Sequence, residues 1–255
     1  MRNFREMGAI INHGDGSRDF RGIKILYEDN HLLVVVKPPN MLSQADRTGD
    51  PDMLSLLKEY IKLSRQKPGN VYLGLVHRLD RVVGGVMVFA KTSKAASRLS
   101  AQIRERTFEK TYLAKVYGIP NPSKGTLRNF LTKDEAKNMV YEVSEGDKGA
   151  TEAILDYEVL KSADGLSLLK INLHTGRSHQ IRVQMALAGH PIYGDQKYGS
   201  RSKCFSEQKE RLKDFGEGIA LWSAALAFTH PVKGDRLSFT IMGTVLSIGT
   251  DLTRL

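Results

Sequence analysis

Residues Leu75 to Gly85 read LVHRLDRVVGG, a charged cluster that lies between short apolar runs. Asp80 stands in a charged cluster with Arg78 and Arg81, between apolar residues and two glycines. Short apolar runs bounded by turn residues are typical of β-strands, so the sequence predicts strands at GLVHRL and VMVFAK. In such a strand Arg78 and Asp80 would point to the same face.

Asp80 has two interpretations at this point. An aspartate in a turn commonly pairs with a neighbouring arginine, and either Arg78 or Arg81 could supply that partner. A partly enclosed carboxylate beside an arginine stays ionised, because the opposite charge offsets the cost of leaving water. An ionised and positioned carboxylate is a usable nucleophile at a sugar carbon. These residues alone favour the ion-paired turn, and both interpretations stay open.

Helical and strand patterns alternate irregularly along the chain. Apolar spacing predicts helices at PDMLSLLKEYIKL, at SKAASRLSAQIRER with Ser93 as N-cap, and at RSHQIRVQMALAG with Gly189 as its stop. Strands are predicted at LLVVVK, KTYLAKVYG, ATEAILDYEVL, LSLLKINL, RLSFTIMG and, less clearly, IALWSAALAF. This order favours an α+β fold with a mixed or antiparallel sheet over a doubly wound parallel sheet.

Length and composition limit the domain organisation. The chain has 255 residues, of which 41% are hydrophobic, which is enough for one sizeable core. We expect a loose tail at residues 1–22, a single domain over 23–255 and a polar surface excursion at 199–218. No apolar run approaches the roughly 20 residues of a membrane helix. A lone cysteine, Cys204, indicates a reducing compartment, so we expect a cytoplasmic protein without a membrane partner.

The formal net charge of +10 indicates a polyanionic partner, most often a nucleic acid. Basic residues outnumber acidic ones over residues 91–117, where Lys94 and Arg98 fall on the predicted helix and Tyr112 on the following strand. Aromatic side chains among basic residues can stack on the nucleobases of RNA, although a tyrosine in a strand more often packs within the sheet.

A second basic constellation lies in LHTGRSHQIRV, where the predicted strand gives way to a helix. Arg177 and Arg182 flank this transition, and His179 and Gln180 add hydrogen-bonding groups at the predicted helix N-terminus, which attracts anions. A capped helix with solvated arginines explains the pattern equally well.

The sequence lacks the motifs of several common classes of enzyme. The sequence has no G-x-x-x-x-G-K-[ST] loop, no G-x-G-x-x-G turn and no G-x-S-x-G elbow. The spacings of His174, His179 and His190 match no zinc pattern, so we expect no metal. ATP, dinucleotide and metal cofactors are therefore not expected.

Taken together, the motifs resemble a known family. VHRLDRVVGGVMVFAKT is similar to the H-R-L-D-x-x-[TS]-S-G signature of the RluA-type pseudouridine synthases, which isomerise uridine in RNA. KTYLAKVYG resembles that family's second motif, and HTGRSHQIRVQMALAGHPIYGDQKYG resembles its third. ILYEDNHLLVVVKPPNMLSQ and AFTHPVKGDRLSF resemble the family's opening and ending, so the resemblance spans about Ile23 to Met242.

The resemblance implies a fold and roles for particular residues. The implied fold is a bent, mixed but mainly antiparallel sheet with flanking helices and a central RNA-binding cleft. Asp80 corresponds to the catalytic aspartate, Tyr112 to the active-site tyrosine that takes the C5 proton and packs on the base, and Arg182 to the arginine that pairs with the aspartate. Contacts to the substrate or to RNA are expected, from the family motifs and the basic helix, at Arg78, Leu79, Arg177, His179, Gln180, Lys94 and Arg98.

The implied activity is the isomerisation of uridine in rRNA or tRNA by a monomer that needs no cofactor. The carboxylate would either attack C1′ or remove the C2′ proton to give a glycal, and the sequence does not decide between these routes. Because only about two dozen residues precede the catalytic region, we expect no S4 RNA-binding domain of the kind that many relatives carry.

The sequence departs from the family at three places. Val83-Gly84-Gly85 replaces the usual Thr/Ser-Ser-Gly, which removes two hydroxyl groups but keeps the last glycine. Asn40 stands where glycine is common, and asparagine tolerates a left-handed backbone. Trp222-Ser223 replaces a frequent Leu-His. The first departure makes an RNA-binding protein that has lost catalysis the rival hypothesis.

Overall fold

The computed structural model describes residues 10–12, 18–66, 68–199 and 218–241. Within them the chain divides into two compact units, Met1–Phe108 with Ala225–Thr240 and Glu109–Ala224 with Ile241–Leu255. The prediction of one domain over 23–255 therefore stays a prediction. The predicted surface excursion lies almost wholly outside the described residues.

The first unit contains an antiparallel sheet with two helices. Its strands follow the order β1-β2-β3-β4-β6, and β5 also pairs with β6. The bounds are β1 Ile10–Asn12, β2 Arg18–Phe20, β3 Ile23–Glu28, β4 Leu32–Lys37, α1 Met53–Ser64, β5 Gly74–Leu75, β6 Gly84–Ala90 and α2 Ser93–Arg104. β12 (Leu221–Thr229) begins in the second unit and ends in the first, where its last residues pair with β13 (Arg236–Thr240).

The centre of the first sheet is buried because its two central strands, β4 and β6, are almost entirely apolar. β6 is buried at every position, and Leu32 to Val35 of β4 are fully buried opposite it. Strands covered on both faces lose the alternation of polar and apolar residues, which is why LLVVVK and GGVMVFA read as continuous apolar runs.

Both helices of the first unit were predicted, and one cap differs. Asp52 caps α1 by accepting a hydrogen bond from Ser55 N at 3.0 Å, as the sequence indicates. Thr92, rather than the predicted Ser93, caps α2, because the Thr92 hydroxyl accepts the Ala95 amide at 3.2 Å. A rule based on sequence cannot distinguish two adjacent hydroxyl residues as the N-cap. The backbone conformation decides which of them caps the helix.

Two short strands lie inside the segment predicted to be a loose tail. β2 pairs with β3, and Phe20 at its end is fully buried, with its ring 5.6 Å from that of Tyr60 on α1. The tail prediction is wrong for these residues, since one buried aromatic ring anchors a segment whose neighbours are polar.

A buried carboxylate joins several elements of the first unit. Glu28, at the end of β3, accepts hydrogen bonds from the Tyr60 hydroxyl at 2.8 Å and the Lys91 ammonium at 2.7 Å. It also pairs with Arg18 at 2.9 Å and Arg65 at 3.2 Å. Burial would raise the pKa of Glu28, but the bonds from Lys91 and Tyr60 outweigh burial and lower the pKa to about 2. Glu28 is therefore ionised and holds β2, β3, α1 and the residue after β6.

The second unit is an antiparallel sheet with one helix. Its strand order is β7-β11-β10-β8-β9. The bounds are β7 Glu109–Tyr117, β8 Lys124–Asp134, β9 Met139–Val143, β10 Thr151–Ala163, β11 Leu166–Leu173 and α3 Gln180–Leu187. Val183 of α3 packs in a core cluster with Leu131, Val140, Ala153 and Tyr198.

The strand pairs assigned within the two units are antiparallel, and helices flank the sheets, as predicted for an α+β fold. Residue Gly189 has a left-handed φ of +83° just after α3, which confirms the predicted stop. Among the described residues, no helix has the length and hydrophobicity that crossing a bilayer requires.

Candidate active site

Asp80 lies in a loop of the first unit. β5 ends at Leu75, and the turn that follows Asp80 is closed by a hydrogen bond from Val83 N to Asp80 O at 3.0 Å. The strand predicted to continue through Arg78 is therefore wrong beyond Leu75. His77 Nε2 accepts a hydrogen bond from the Val88 amide of β6 at 3.1 Å. The side chain of His77 thus binds a β6 amide that would otherwise be open to pairing with a longer β5.

The loop presents its side chains unequally. Arg78 is exposed, Leu79 is buried and Asp80 is half-buried. Arg81 pairs with Asp50, with 2.7 Å between Nη1 and Oδ2, so this arginine neutralises a different carboxylate from the one next to it in sequence. The proposal that Arg81 exists to pair with Asp80 therefore loses its support.

The peptide unit before Asp80 is fixed by a buried serine. Ser43 Oγ donates to Leu79 O at 2.8 Å and accepts from Leu79 N at 3.1 Å. One hydroxyl thus satisfies both main-chain polar groups of Leu79, which would otherwise be buried without partners.

The peptide unit that follows Arg81 is held by a buried lysine. Lys37 is fully buried at the end of β4, and its Nζ donates to Arg81 O at 3.0 Å, Met41 O at 2.7 Å and Pro38 O at 3.0 Å. Three carbonyl acceptors match the three protons of an ammonium group. Burial lowers the pKa of Lys37 to about 7, although the negative charge of Asp80 acts in the opposite direction. Asp80 therefore sits between two anchored peptide units and close to a buried cation.

The departure from the family signature follows directly in the chain. Val83 is buried, and Gly85 pairs with Lys37 at the start of β6. Gly85 has a φ of +128°, which L side chains rarely adopt, so the glycine that the chain keeps is the one its backbone needs. Asn40 has a φ of +63°, which confirms that asparagine supports the left-handed turn predicted there.

In the second unit, Tyr112 and Arg182 come from different elements. Tyr112 lies on β7 opposite Ile171 and is 6% exposed. Arg182 lies on α3 and forms two hydrogen bonds with the buried carboxylate of Asp195, from Nε at 2.7 Å and from Nη2 at 2.8 Å. The paired, planar contact fixes the orientation of the guanidinium group.

Asp195 and Tyr198 complete this network. Asp195 Oδ1 also accepts the main-chain amides of Lys197 and Tyr198, at 3.0 and 3.3 Å, so its orientation is fixed independently of Arg182. The Arg182 guanidinium lies over the Tyr198 ring at 5.3 Å, and the Tyr198 hydroxyl contacts His179 Nδ1 at 2.7 Å.

The loop before α3 is held by its own side chains. Gln180 Oε1 accepts from Thr175 Oγ1 at 2.8 Å and from Arg177 N at 3.0 Å, while its Nε2 donates to Ile154 O and Gln184 Oε1. The amide of Gln180 is thus used inside the protein, and its expected RNA contact stays a prediction. His179 precedes α3 in the left-handed conformation, with a φ of +50°.

The two basic residues predicted on α2 are exposed. Lys94 and Arg98 lie on the outer surface of that helix, and Arg98 Nη1 donates to Pro231 O. The expected RNA contact of this exposed basic helix face stays a prediction.

Sequence reasoning missed the residues that hold the site: Lys37, Ser43 and Asp195. Lys37 and Ser43 lie in KPPNMLS, and Asp195 lies in IYGDQ, so all three fall in motifs that were recognised. The available signal was a lysine that directly follows the apolar run LLVVV and precedes two prolines, because a lysine drawn into an apolar strand needs acceptors.

Comparison with known proteins supplies the context for this geometry. A family model described as RNA pseudouridylate synthase matches residues 31–187. A protein of Aquifex aeolicus named as an uncharacterized RNA pseudouridine synthase is 37% identical over 224 residues, which cover 86% of this chain and 69% of that protein. A Neisseria meningitidis protein named ribosomal large subunit pseudouridine synthase D is 35% identical, over 85% of this chain and 57% of its own length.

A solved structure supports the fold. The human protein named RNA Pseudouridylate Synthase Domain Containing 4 superposes with a TM-score of 0.69, covering 85% of this chain and 87% of that chain at 23% identity. At this identity the similarity concerns the fold alone.

Proposed function

Because the chain belongs to the RNA pseudouridine synthase family, we propose that it converts uridine in rRNA or tRNA to pseudouridine with Asp80 as the catalytic carboxylate. The observation that carries this proposal is the pair of main-chain anchors, Ser43 on Leu79 and Lys37 on Arg81, on either side of Asp80. A reacting carboxylate must be held within about 0.5 Å of its working geometry, and such anchors supply that precision.

The reaction needs no external atoms or electrons. The N1–C1′ bond of uridine breaks, the uracil turns, and a C5–C1′ bond forms while a proton leaves C5 and another joins N1. Asp80 either attacks C1′ or takes the C2′ proton to give a glycal. By resemblance to the family motifs, Tyr112 is assigned to take the C5 proton and pack on the base, and Arg182 is assigned as the arginine partner of the reacting carboxylate. These assignments follow from the motif positions of the three residues.

The substrate must be RNA whose target base has left its stack, which costs a few kcal/mol. Exposed basic residues such as Lys94 and Arg98 offset that cost by contacting phosphates of the RNA. Ribosomal RNA is favoured by the name of the Neisseria relative, which describes a large-subunit pseudouridine synthase. The single cysteine supports a cytoplasmic location.

The first test is the substitution Asp80→Asn. Incubation of total RNA with the wild type should create pseudouridine at defined positions, and Asp80→Asn should lower the rate by roughly 10³-fold or more, because the amide is a poor nucleophile and base. Pseudouridine mapping by carbodiimide labelling and reverse transcription measures this.

Asp164→Asn is the matched control, since Asp164 sits in a left-handed turn with a φ of +53° where asparagine fits equally well. Equal activity of Asp80→Asn and the wild type would refute the role of Asp80. A wild type that binds RNA but leaves a broad RNA pool unmodified would favour the rival hypothesis of a binding protein.

A further inference from the structure

Lys110 of β7 is a buried lysine in the second unit. It is 7% exposed, and its Nζ lies 3.3 Å from the position that a Cβ on Gly176 would occupy. The ammonium group therefore packs over the main chain of the loop before α3, at the one residue of HTGRSHQ that has no side chain. Lys110 shares a strand face with Tyr112, two residues or about 7 Å along the strand.

The charge of Lys110 is not balanced within the part of the chain that the structure describes. No carboxylate or carbonyl there accepts a hydrogen bond from it, whereas the fully buried Lys37 has three acceptors. Burial lowers the pKa of Lys110, and the positive charge of Arg177 lowers it further. A buried cation without an acceptor is costly, so its presence calls for an anion that the protein itself does not supply.

Arg177 is the second cation at this place. Its side chain is exposed, and its Nε donates to Glu152 O at 2.8 Å, which orients the guanidinium group. Its main-chain amide is fixed by Gln180 at 3.0 Å. Two like charges are thus held close together by groups that neutralise neither of them.

We infer that Lys110 and Arg177 form a binding site for one phosphate group of the RNA, on the side of β7 that carries Tyr112. A lysine supplies a compact charge and an arginine supplies a planar pair of donors, and together they suit a tetrahedral dianion or a phosphodiester. The identity of the anion as RNA phosphate rests on the proposed function. The position next to Tyr112 assigns the phosphate to the modified nucleotide or its neighbour.

The test substitution is Lys110→Met, which keeps the length of the side chain and removes its charge. RNA affinity should fall about tenfold or more, and the slope of log affinity against log salt should decrease by about 1. The melting temperature without RNA should stay equal or rise, because an unbalanced buried charge is gone. A merely structural lysine would give the opposite pair of results, lower stability and unchanged affinity, and that outcome would overturn the inference.

Lys124→Met is the matched control, because Lys124 is an exposed lysine of the same unit that is paired with Glu158. Equal losses of affinity in the two variants would mean that only total charge matters, which would also overturn the inference. The double variant Lys110→Met/Arg177→Gln should lose less affinity than the sum of the single losses, because both residues serve one phosphate.

Inorganic phosphate provides a probe that is independent of RNA and of catalysis. At constant ionic strength, phosphate in place of chloride should raise the melting temperature of the wild type more than that of Lys110→Met. Equal responses would refute the site. Failure of the proposed function appears elsewhere, as an absence of pseudouridine from wild-type reactions, so the two proposals can fail separately.

Discussion

Ser43 stabilises the site by satisfying two buried main-chain groups with one hydroxyl. Its hydrogen bonds to Leu79 N and Leu79 O fix the peptide that carries Asp80. On the other side, Lys37 binds Arg81 O from the end of β4. Neither contact involves the carboxylate directly, so both residues act by positioning it.

The substitution Ser43→Ala should cost about 1–3 kcal/mol of unfolding free energy, because it leaves the amide and carbonyl of Leu79 buried without partners. Pseudouridine formation should slow while RNA affinity changes little. Urea unfolding and single-turnover rates measure the two effects. Ser100→Ala on the exposed face of α2 is the control and should change stability by less than about 0.5 kcal/mol.

Single residues also mark what the sequence could and could not predict. The left-handed turn at Asn40 was predictable, since the property belongs to the residue itself. The pairing of Arg182 with Asp195 was not, because Asp195 lies 13 positions away and only the folded chain brings the two together. The catalytic assignments of Asp80, Tyr112 and Arg182 came from motif resemblance and stay predictions.

At the scale of elements, Glu28 links β2, β3, α1 and the residue after β6. Its folded pKa of about 2 lies below the ordinary value of 4.5, so the ionised form is bound more tightly in the folded state. The resulting stabilisation is fully present above pH 4.5 and is lost as the pH falls towards 2.

Glu28→Gln should therefore lower the free energy of unfolding at neutral pH by up to about 3 kcal/mol and flatten its dependence on pH between about 4.5 and 2. Urea unfolding across this range checks both effects. Glu59→Gln serves as the control, because Glu59 also pairs with an arginine but is 41% exposed. An equally steep pH dependence in Glu28→Gln and the wild type would contradict this role.

Apolar periodicity predicted the helices and many strands but not β8 and β9, and β2 and the end of β5 depended on distant partners. α1 and α3 follow from apolar spacing and stop signals in their own sequences. β2 exists because Phe20 packs on Tyr60, and β5 ends early because His77 occupies an amide of β6. Neither partner can be read from the residues that form the strand.

At the scale of the whole molecule, the formal net charge of +10 predicts RNA binding that weakens steeply with salt. Lys94→Met on α2 should weaken RNA binding and reduce the salt slope by about 1, since an exposed lysine contributes one phosphate contact. Fluorescence anisotropy at several salt concentrations measures the slope. Lys137→Met, which is also exposed, is the control, and identical slopes for wild type and Lys94→Met would count against an RNA contact at α2.

The α+β class and the family were both accessible from the order of elements and motifs. The division into two compact units was not, because β12 belongs to both and no linker composition marks a boundary. Boundaries of this kind depend on which contacts dominate in the folded chain, and local sequence carries little of that information.

Ser43 and Lys37 contact Leu79 and Arg81 through the main-chain atoms of these two residues, and this affects which side chains the loop can accept. Ser43 and Lys37 would bind the same carbonyl and amide groups whatever side chains residues 79 and 81 carried. Mutations can therefore accumulate around the carboxylate without displacing it, as long as Gly85 keeps its backbone conformation. The loop is therefore a suitable target for directed evolution of substrate choice.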